Sequence, residues 1–378
     1  MSANFDIAVI GAGIAGASVA SVLAEHASVL LIEQEQQPGY HSTGRSAAMY
    51  IPSYGPPKIQ ALTKASGDFF KNTPSDFCNT KLLSSRAEML IARDDQLDAI
   101  DVFMQSHPPG QSVAMIDARE VQHRCPILKN GYAAAGVLDT SGSDIDVDAL
   151  HQGYLKRFRQ HGGKLSLNSR VTALKRASGV WSVTTASEVF TCNTIVNAAG
   201  AWADELGSLA SAENTGLQPK RRTALTINAP AGLDLSSMPL VADIDEAFYI
   251  KPETQSLLLS PANADPMPPC DVQPEEMDIA KCVDQIERAF VLEVRSIIRS
   301  WAGLRSFVAD NEPVAGFSQQ AENFFWLAGQ GGYGIQSCPA LSRYSAALIL
   351  GNRIPDDLLQ VGLDANCLGV QRLEAYNA

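Results

Sequence analysis

Gly11-Ala12-Gly13-Ile14-Ala15-Gly16 is a GxGxxG run, and Glu33 follows its first glycine by 22 positions (33 − 11). Glycines at these spacings allow a tight turn and a close backbone approach to a pyrophosphate at a helix N-terminus. An acid at that distance can hold ribose hydroxyls, so the pair describes a dinucleotide site. A second glycine cluster, Gly329-Gln330-Gly331-Gly332-Tyr333-Gly334, lies near the C-terminus ahead of a helical stretch. Backbone amides at such a junction stabilise negative charge on a reduced cofactor. Two arginines stand out as anion ligands, because a planar guanidinium fork matches a carboxylate. Arg222 closes the basic knot Lys220-Arg221-Arg222, although a charge run is usually a wet face. Arg305 lies between the apolar Leu304 and Phe307, where a cation needs a partner.

The elements that must position these residues follow from hydrophobic period and punctuation. Phe5–Ile10 reads as a buried strand, Ile14–His26 as an Ala-rich helix and Val29–Glu33 as a second strand, a βαβ unit. A loop follows to Tyr54. Helices are expected at Lys58–Lys71, Leu97–Met104, Val147–His161, Asp278–Phe290 and Ile335–Leu350. Strands are expected at Glu88–Ala92, Thr194–Ala198 and Phe324–Ala328, with a strand pair within Lys164–Phe190. β-branched segments between Arg222 and Ser260 suggest an antiparallel sheet, and Pro261–Pro274 a loop. Nucleotide-type strands thus occur at the start, middle and end. The fold class is α/β, a Rossmann-type FAD-binding domain of the glutathione-reductase-like kind with an inserted antiparallel-sheet substrate domain. Residues 1–54, 140–216 and 301–378 are assigned to the first, and 55–139 and 217–300 to the second.

At 378 residues and 46% hydrophobic content, the chain can bury the cores of two domains. Its formal net charge of -12 argues against nucleic acid as the main partner. Seven scattered cysteines show no CxxC or Cys/His spacing, so no metal site is expected and reduced thiols in the cytoplasm are the simplest reading. No basic leader precedes the first apolar run, and no uninterrupted apolar stretch reaches the roughly 20 residues of a membrane span. Peripheral attachment to the inner membrane stays open.

GxGxxG alone does not separate NAD from FAD. The segment His41-Ser42-Thr43-Gly44-Arg45-Ser46-Ala47-Ala48 resembles the loop by which the D-amino-acid oxidase and glycine oxidase superfamily wraps the flavin. Together with VNAAGAWAD (196–204), LQPKRR (217–222), SPANADP (260–266), WAGLRSFVAD (301–310) and QGGYGIQ (330–336), it makes nearly the whole chain similar to the FAD-dependent D-arginine dehydrogenases. The resemblance implies FAD contacts from residues 11–16, Glu33, Gln34 and residues 41–48. It implies further contacts from Val171, Ala199, Gly200, Trp202, Gly303 and Arg305, and from Gly331, Gly332, Tyr333, Gly334, Ile335 and Gln336. It places Arg222 and Arg305 on a substrate carboxylate, with Tyr249 as hydroxyl donor, Tyr54 covering the site and Gly332 beside the substrate. These two arginines and two tyrosines form the catalytic set. Glu88 matches the acid that meets a basic side chain. One departure is Met49, which stands where those enzymes have a histidine and can neither accept a proton nor hydrogen-bond an ammonium well.

The implied reaction is oxidative deamination of D-amino acids. The Cα hydrogen leaves as hydride to flavin N5, and water hydrolyses the resulting imine to a 2-oxo acid. Electrons then pass to a quinone or other non-oxygen carrier. The alternative is an oxygen-using sarcosine or glycine oxidase. Sarcosine oxidases place a lysine over the flavin, and the segment aligned with it, Ser256-Leu257-Leu258-Leu259, has none. Relatives attach flavin through a His in the STGRSA-type loop or a Cys near WAGLR. Here Arg45 and Arg305-Ser306-Phe307 occupy those places, so FAD is expected to be noncovalent.

Overall fold

Short apolar runs ending at glycine become parallel strands buried on both faces. In the computed structural model, which describes residues 4–107 and 112–377, the Asn4–Ile10 strand lies in parallel between Val29–Ile32 and Val189–Asn197. Lys164–Ser166 and Phe324–Ala328 extend this parallel set on its two sides. Alternate side chains feed opposite layers. Val9, Leu31, Val196 and Phe325 pack against helices Ile14–Leu23 and Gly334–Ile349, while Ala8, Ile10, Leu30 and Trp326 face the other layer. The sheet has eight strands, and Val189–Asn197 serves two neighbours besides Asn4–Ile10. Its first half pairs antiparallel with Val180–Thr185 and its end pairs in parallel with Phe324–Ala328.

A nine-stranded sheet stands against it, built largely from residues 218–307 with Glu88–Ala92, Val113–Asp117 and Ala135–Asp139 added at one side. Its longest partnership joins Gln218–Asn228 to Arg299–Phe307, nine paired positions from Gln218↔Phe307 to Thr226↔Arg299. This is the expected α/β architecture, a parallel nucleotide-type sheet flanked by helices with a second sheet over it.

Several expectations are corrected in detail. The second sheet is mixed rather than antiparallel, because Glu88–Ala92 pairs in parallel with Leu240–Asp243. These strands lie far apart in sequence, so no hairpin dictates their sense. The first helix stops at Leu23, three residues short of His26, where Ala24–His26 form a turn. The Lys164–Phe190 stretch holds three strands: Lys164–Ser166 joins the parallel set, and Val171–Ala177 and Val180–Thr185 form a hairpin. Ser178 (φ 51°) and Gly179 (φ 83°) supply the left-handed turn of that hairpin. Pro57–Lys71, placed by sequence in the substrate domain, sends Ile59, Leu62 and Phe70 into the nucleotide-side core. Arg299–Phe307, assigned mostly to the FAD domain, is hydrogen-bonded into the second sheet.

Candidate active site

A cavity of about 510 Å³ is lined from both large sheets. At one end stands the first glycine run. Gly11 has φ +101°, and a Cβ there would lie 2.4 Å from the Ala198 carbonyl oxygen. A Cβ on Gly16 would lie 1.8 Å from the Gly11 oxygen. Gly16 is therefore needed for helix-to-strand contact, and Gly11, Gly13, Ile14 and Ala15 form the cavity wall. Ala12 points inward: its N–H donates to Glu33 Oε2 (2.8 Å) and its carbonyl accepts from His151 (2.9 Å). Glu33 also accepts from the Glu35 N–H (3.0 Å), and burial raises its pKa. A carboxylate has about four lone-pair sites, so Glu33 retains capacity for ribose hydroxyls beside Gln34.

The 41–48 loop is tied down by its side chains, which leaves backbone and small groups towards the cavity. Thr43 Oγ1 accepts from the Ile14 N–H (2.9 Å) at the start of the helix. Ser42 donates to the Leu304 carbonyl (2.6 Å), and His41 bonds Glu35 (2.9 Å). Arg45 donates to the Val272 (2.8 Å) and Ala302 (3.1 Å) carbonyls and pairs with Asp271. The residues of this loop on the wall are His41, Ser42, Thr43, Arg45, Ser46 and Ala47. Gly44 closes a turn by donating to the Gly39 carbonyl (2.7 Å), and Ala48 lines a neighbouring cavity. Val171, Ala199, Gly200 and Trp202 also line the cavity, beside Ser169, Arg170 and Leu206, which sequence reasoning missed.

At the other end Gly331, Gly332, Gly334 and Ile335 meet the cavity at the start of the C-terminal helix, which lacks a side-chain N-cap. Its first-turn amides are open to an electronegative edge. Gln330, not singled out from sequence, also lines the cavity, and among the described residues its buried Nε2 has no hydrogen-bond partner. The glycine cradle, the open amides and this orphaned donor fit FAD. Tyr333 and Gln336 lie off the wall. Tyr333 packs edge-on against Tyr54, centroids 5.0 Å apart, and Gln336 accepts from the Ile51 N–H (3.0 Å).

Strand alternation divides the basic knot. Arg221 turns inward, buried among Asp265, Glu275 and Asp278. Lys220 lies over the Phe307 ring at 5.2 Å. Arg222 turns to the cavity, its Nε donating to the Asn263 carbonyl (2.7 Å). Arg305 reaches the same cavity from the paired strand, passing so close to Gly332 that a Cβ there would lie 2.8 Å from its Nη1. Among the described residues, neither Arg222 nor Arg305 has a carboxylate within 4.0 Å. Burial and the neighbouring Arg305 both lower the pKa of Arg222. Burial acts the same way on Arg305, but Tyr54, Tyr249, Tyr333 and Glu246 outweigh it and raise its pKa. Gly303, Trp301 and Tyr249 complete this end. Trp301 was not singled out from sequence, although it shares a strand face with Gly303 and Arg305 at period two.

Tyr54 and Glu88 lie beyond the cavity wall. Tyr54 packs with Tyr249 and Ala242 against an apolar group of Met49, Ile51 and Leu240. Burial raises its pKa, so its hydroxyl stays protonated, and Arg305, Arg222 and Glu88 all act on it electrostatically. Glu88, 9% exposed, stands level with Leu240 in the parallel pairing and opposite Asp139 in the antiparallel one. Burial, then Asp139 and Glu246, push its carboxyl up to about 8.

Fold and cavity together define a flavin-dependent oxidoreductase. The chain belongs to the FAD dependent oxidoreductase family, matched over residues 6–348. It is 27% identical over 274 residues to human mitochondrial dimethylglycine dehydrogenase, covering 68% of this chain and 31% of that protein. The chain therefore spans about a third of the length of that relative. Among solved structures, it superposes on glycine oxidase from Geobacillus kaustophilus with a TM-score of 0.82 at 18% identity, covering 98% of this chain and 99% of that one. It matches FAD-bound L-alpha-glycerophosphate oxidase from Mycoplasma pneumoniae with the same TM-score at 19% identity, over 92% and 95%. Among the described residues, no helix is long and apolar enough to cross a membrane.

Proposed function

We propose that the chain is an FAD-dependent dehydrogenase that oxidatively deaminates D-amino acids of broad side-chain range, favouring basic ones such as D-arginine. The observation that carries this reading is the pair Arg222 and Arg305. Two guanidinium groups without an acid partner, at one end of an FAD-shaped cavity, call for an anion of matching fork geometry. A substrate carboxylate supplies it. The names of glycine oxidase and dimethylglycine dehydrogenase, which both refer to amino-acid-derived amines, point the same way.

Bound FAD supplies the two-electron acceptor. The chain's own residues orient the substrate: Arg222 and Arg305 grip the carboxylate, Tyr249 donates a hydrogen bond, Tyr54 covers the site, and Gly332 leaves Arg305 room to reach in. Among the described residues no carboxylate or histidine stands at the arginine end of the cavity wall to act as base, so the amine proton leaves through water or the substrate arrives already deprotonated. The side chain extends towards Met49, Ile51 and Leu240, with Glu88 at the far end. An imine product then takes up water to give a 2-oxo acid and ammonia. The domain division is proposed as read from sequence, with Pro57–Lys71 moved to the nucleotide side and Arg299–Phe307 to the substrate side. Electrons leave to a non-oxygen carrier, and a cytoplasmic site of action is the accompanying proposal.

The test is anaerobic bleaching of the yellow holoenzyme with a panel of D- and L-amino acids, followed by air. Bleaching by D-amino acids with slow recolouring in air supports the reading. Rapid recolouring makes the protein an oxidase, and no bleaching by any member of the panel rejects the substrate class.

A further inference from the structure

The SPANADP segment, residues 260–266, bridges two strands that both pair with Gln218–Asn228. Leu259 stands opposite Leu225, and Asp265 stands opposite Arg221. Between those pairings the ladder is interrupted beside Arg222–Ala224, and side chains take its place. The Thr223 N–H donates to Asn263 Oδ1 (2.8 Å), and the Thr223 carbonyl accepts from Ser260 Oγ (2.6 Å). Ser260 Oγ also accepts from the Ala262 N–H (3.1 Å), and Ala262 is held in the left-handed region at φ 47°. The main-chain carbonyl that this loop presents, that of Asn263, accepts from Arg222 Nε (2.7 Å). Among the described residues, the two Nη groups of Arg222 have no hydrogen-bond partner, so they are the edge left for a carboxylate fork. The Asn263 side chain is itself clamped: its Nδ2 donates to Asp265 Oδ2 (2.8 Å) and to Asp278 Oδ2 (3.1 Å). Asp278, 4% exposed in the first turn of Glu276–Ala289, takes Arg221 Nε (2.8 Å) and Thr223 Oγ1 (2.9 Å) on the same oxygen. One buried carboxylate thus ties both chain neighbours of Arg222 to the residue that holds its guanidinium.

We propose that Asn263 and Asp278 are positioning residues for the anion site, fixing the Arg222 guanidinium so that both Nη groups meet a carboxylate. The inference rests on the reading that Arg222 takes the substrate carboxylate, and it deepens that reading. Neither residue lines the cavity, so both act through Arg222. Strand alternation makes this possible, because Arg221 and Thr223 face Asp278 while Arg222 faces the cavity. The acids Asp265, Glu275 and Asp278 are engaged by Arg221 on the far side, which leaves Arg222 without a counter-ion of its own. A long side chain that is free to rotate loses that freedom each time it binds a ligand. One already held at Nε has lost it beforehand. Opening the clamp should therefore weaken carboxylate binding even though Arg222 itself remains.

The test reads anion binding without turnover. Propanoate is titrated into oxidised holoenzyme and followed through the flavin difference spectrum. Wild type should give a saturable change, and Arg222→Met should weaken binding at least tenfold. Asn263→Ala removes the clamp but keeps the main-chain carbonyl. It and Asp278→Asn should each weaken propanoate at least fivefold and raise KM for the amino-acid substrate similarly, with kcat changed less than KM and flavin content unchanged. Glu275→Gln is the control: Glu275 pairs with Arg221 in the same ionic cluster, but among the described residues its side chain bonds neither Asn263 nor Thr223. It should leave propanoate binding within twofold. Asn263 is only half-buried, so Asn263→Ala decides the matter where Asp278→Asn yields no folded protein. Wild-type propanoate affinity in Asn263→Ala, or equal weakening in Glu275→Gln, would overturn the proposal. Propanoate binding that is absent from wild type, or untouched by Arg222→Met, overturns the carboxylate reading of Arg222 and the proposal with it.

Discussion

Glu88 is held protonated at neutral pH by its surroundings, and on the proposed substrate class this should make the gain from a basic side chain depend on pH. Its carboxyl is raised from 4.5 to about 8, first by burial and then by Asp139 and Glu246. With that value the ionised fraction is about one tenth at pH 7 and about nine tenths at pH 9. Binding of a side-chain cation at this position follows the ionised fraction, whereas binding of a neutral side chain does not. The ratio of kcat/KM for D-arginine to that for D-methionine should therefore rise roughly tenfold from pH 7 to pH 9. Titration of the substrate amine affects both substrates and largely cancels in the ratio. Glu88→Gln should flatten the profile. Asp139→Asn keeps one acceptor oxygen, for Ser141 or Ser53 but not both, and removes the opposing charge, so it should move the rise to lower pH. Stability gives a second reading. A carboxyl whose folded pKa is raised stabilises the fold fully below the unfolded value near 4.5, and that contribution is lost as pH climbs to about 8. The loss is on the order of 5 kcal/mol, at 1.36 kcal/mol per unit. Denaturant unfolding at pH 5 and pH 9 should thus show Glu88→Gln gaining on wild type at the higher pH. A flat substrate ratio in wild type, or a slope that survives Glu88→Gln, would refute the reasoning.

Three other outcomes are expected. Acid precipitation should release the yellow colour to the supernatant, since Arg45 is engaged with Val272, Ala302 and Asp271 and no His or Cys stands in its place; a coloured pellet would show covalent flavin. Arg222→Met and Arg305→Met should each cost about 2–4 kcal/mol in kcat/KM while leaving flavin content unchanged, measured by steady-state kinetics with an artificial acceptor. Gly332→Ala, whose methyl would meet the Arg305 guanidinium at 2.8 Å, should raise KM with a loss of about 1–3 kcal/mol in kcat/KM, and unchanged kinetics would show that Arg305 can move aside without consequence.

The parts of this protein legible from sequence are those in which chemistry forces a local pattern. Gly11 and Gly16 had to be glycine because Ala198 and the Gly11 carbonyl leave no room, and that demand falls within six consecutive residues. Glu33 was legible because one strand's length fixes its distance from the turn. The knot at Lys220–Arg222 could be flagged from residue types alone, and only the family resemblance singled out Arg222 within it. Which arginine faces the cavity depends on the register with Arg299–Phe307, a contact across some 80 residues of chain that carries no local signal. The same holds for the parallel pairing of Glu88–Ala92 with Leu240–Asp243, which sets Glu88 level with Leu240 and opposite Asp139. Sequence identified Glu88 as an acid on a strand, but the raised pKa arises only from burial beside a second acid across the sheet. The pocket's far end thus combines the apolar Met49, Ile51 and Leu240 with an acid kept neutral at pH 7. A methionine at position 49 extends that apolar character where an imidazole would add a polar group. On the proposed reading, carboxylate recognition rests on two permanent charges and side-chain recognition on a group that titrates near the working pH. That division would let one site hold many amino acids by the same end and still discriminate weakly among their side chains.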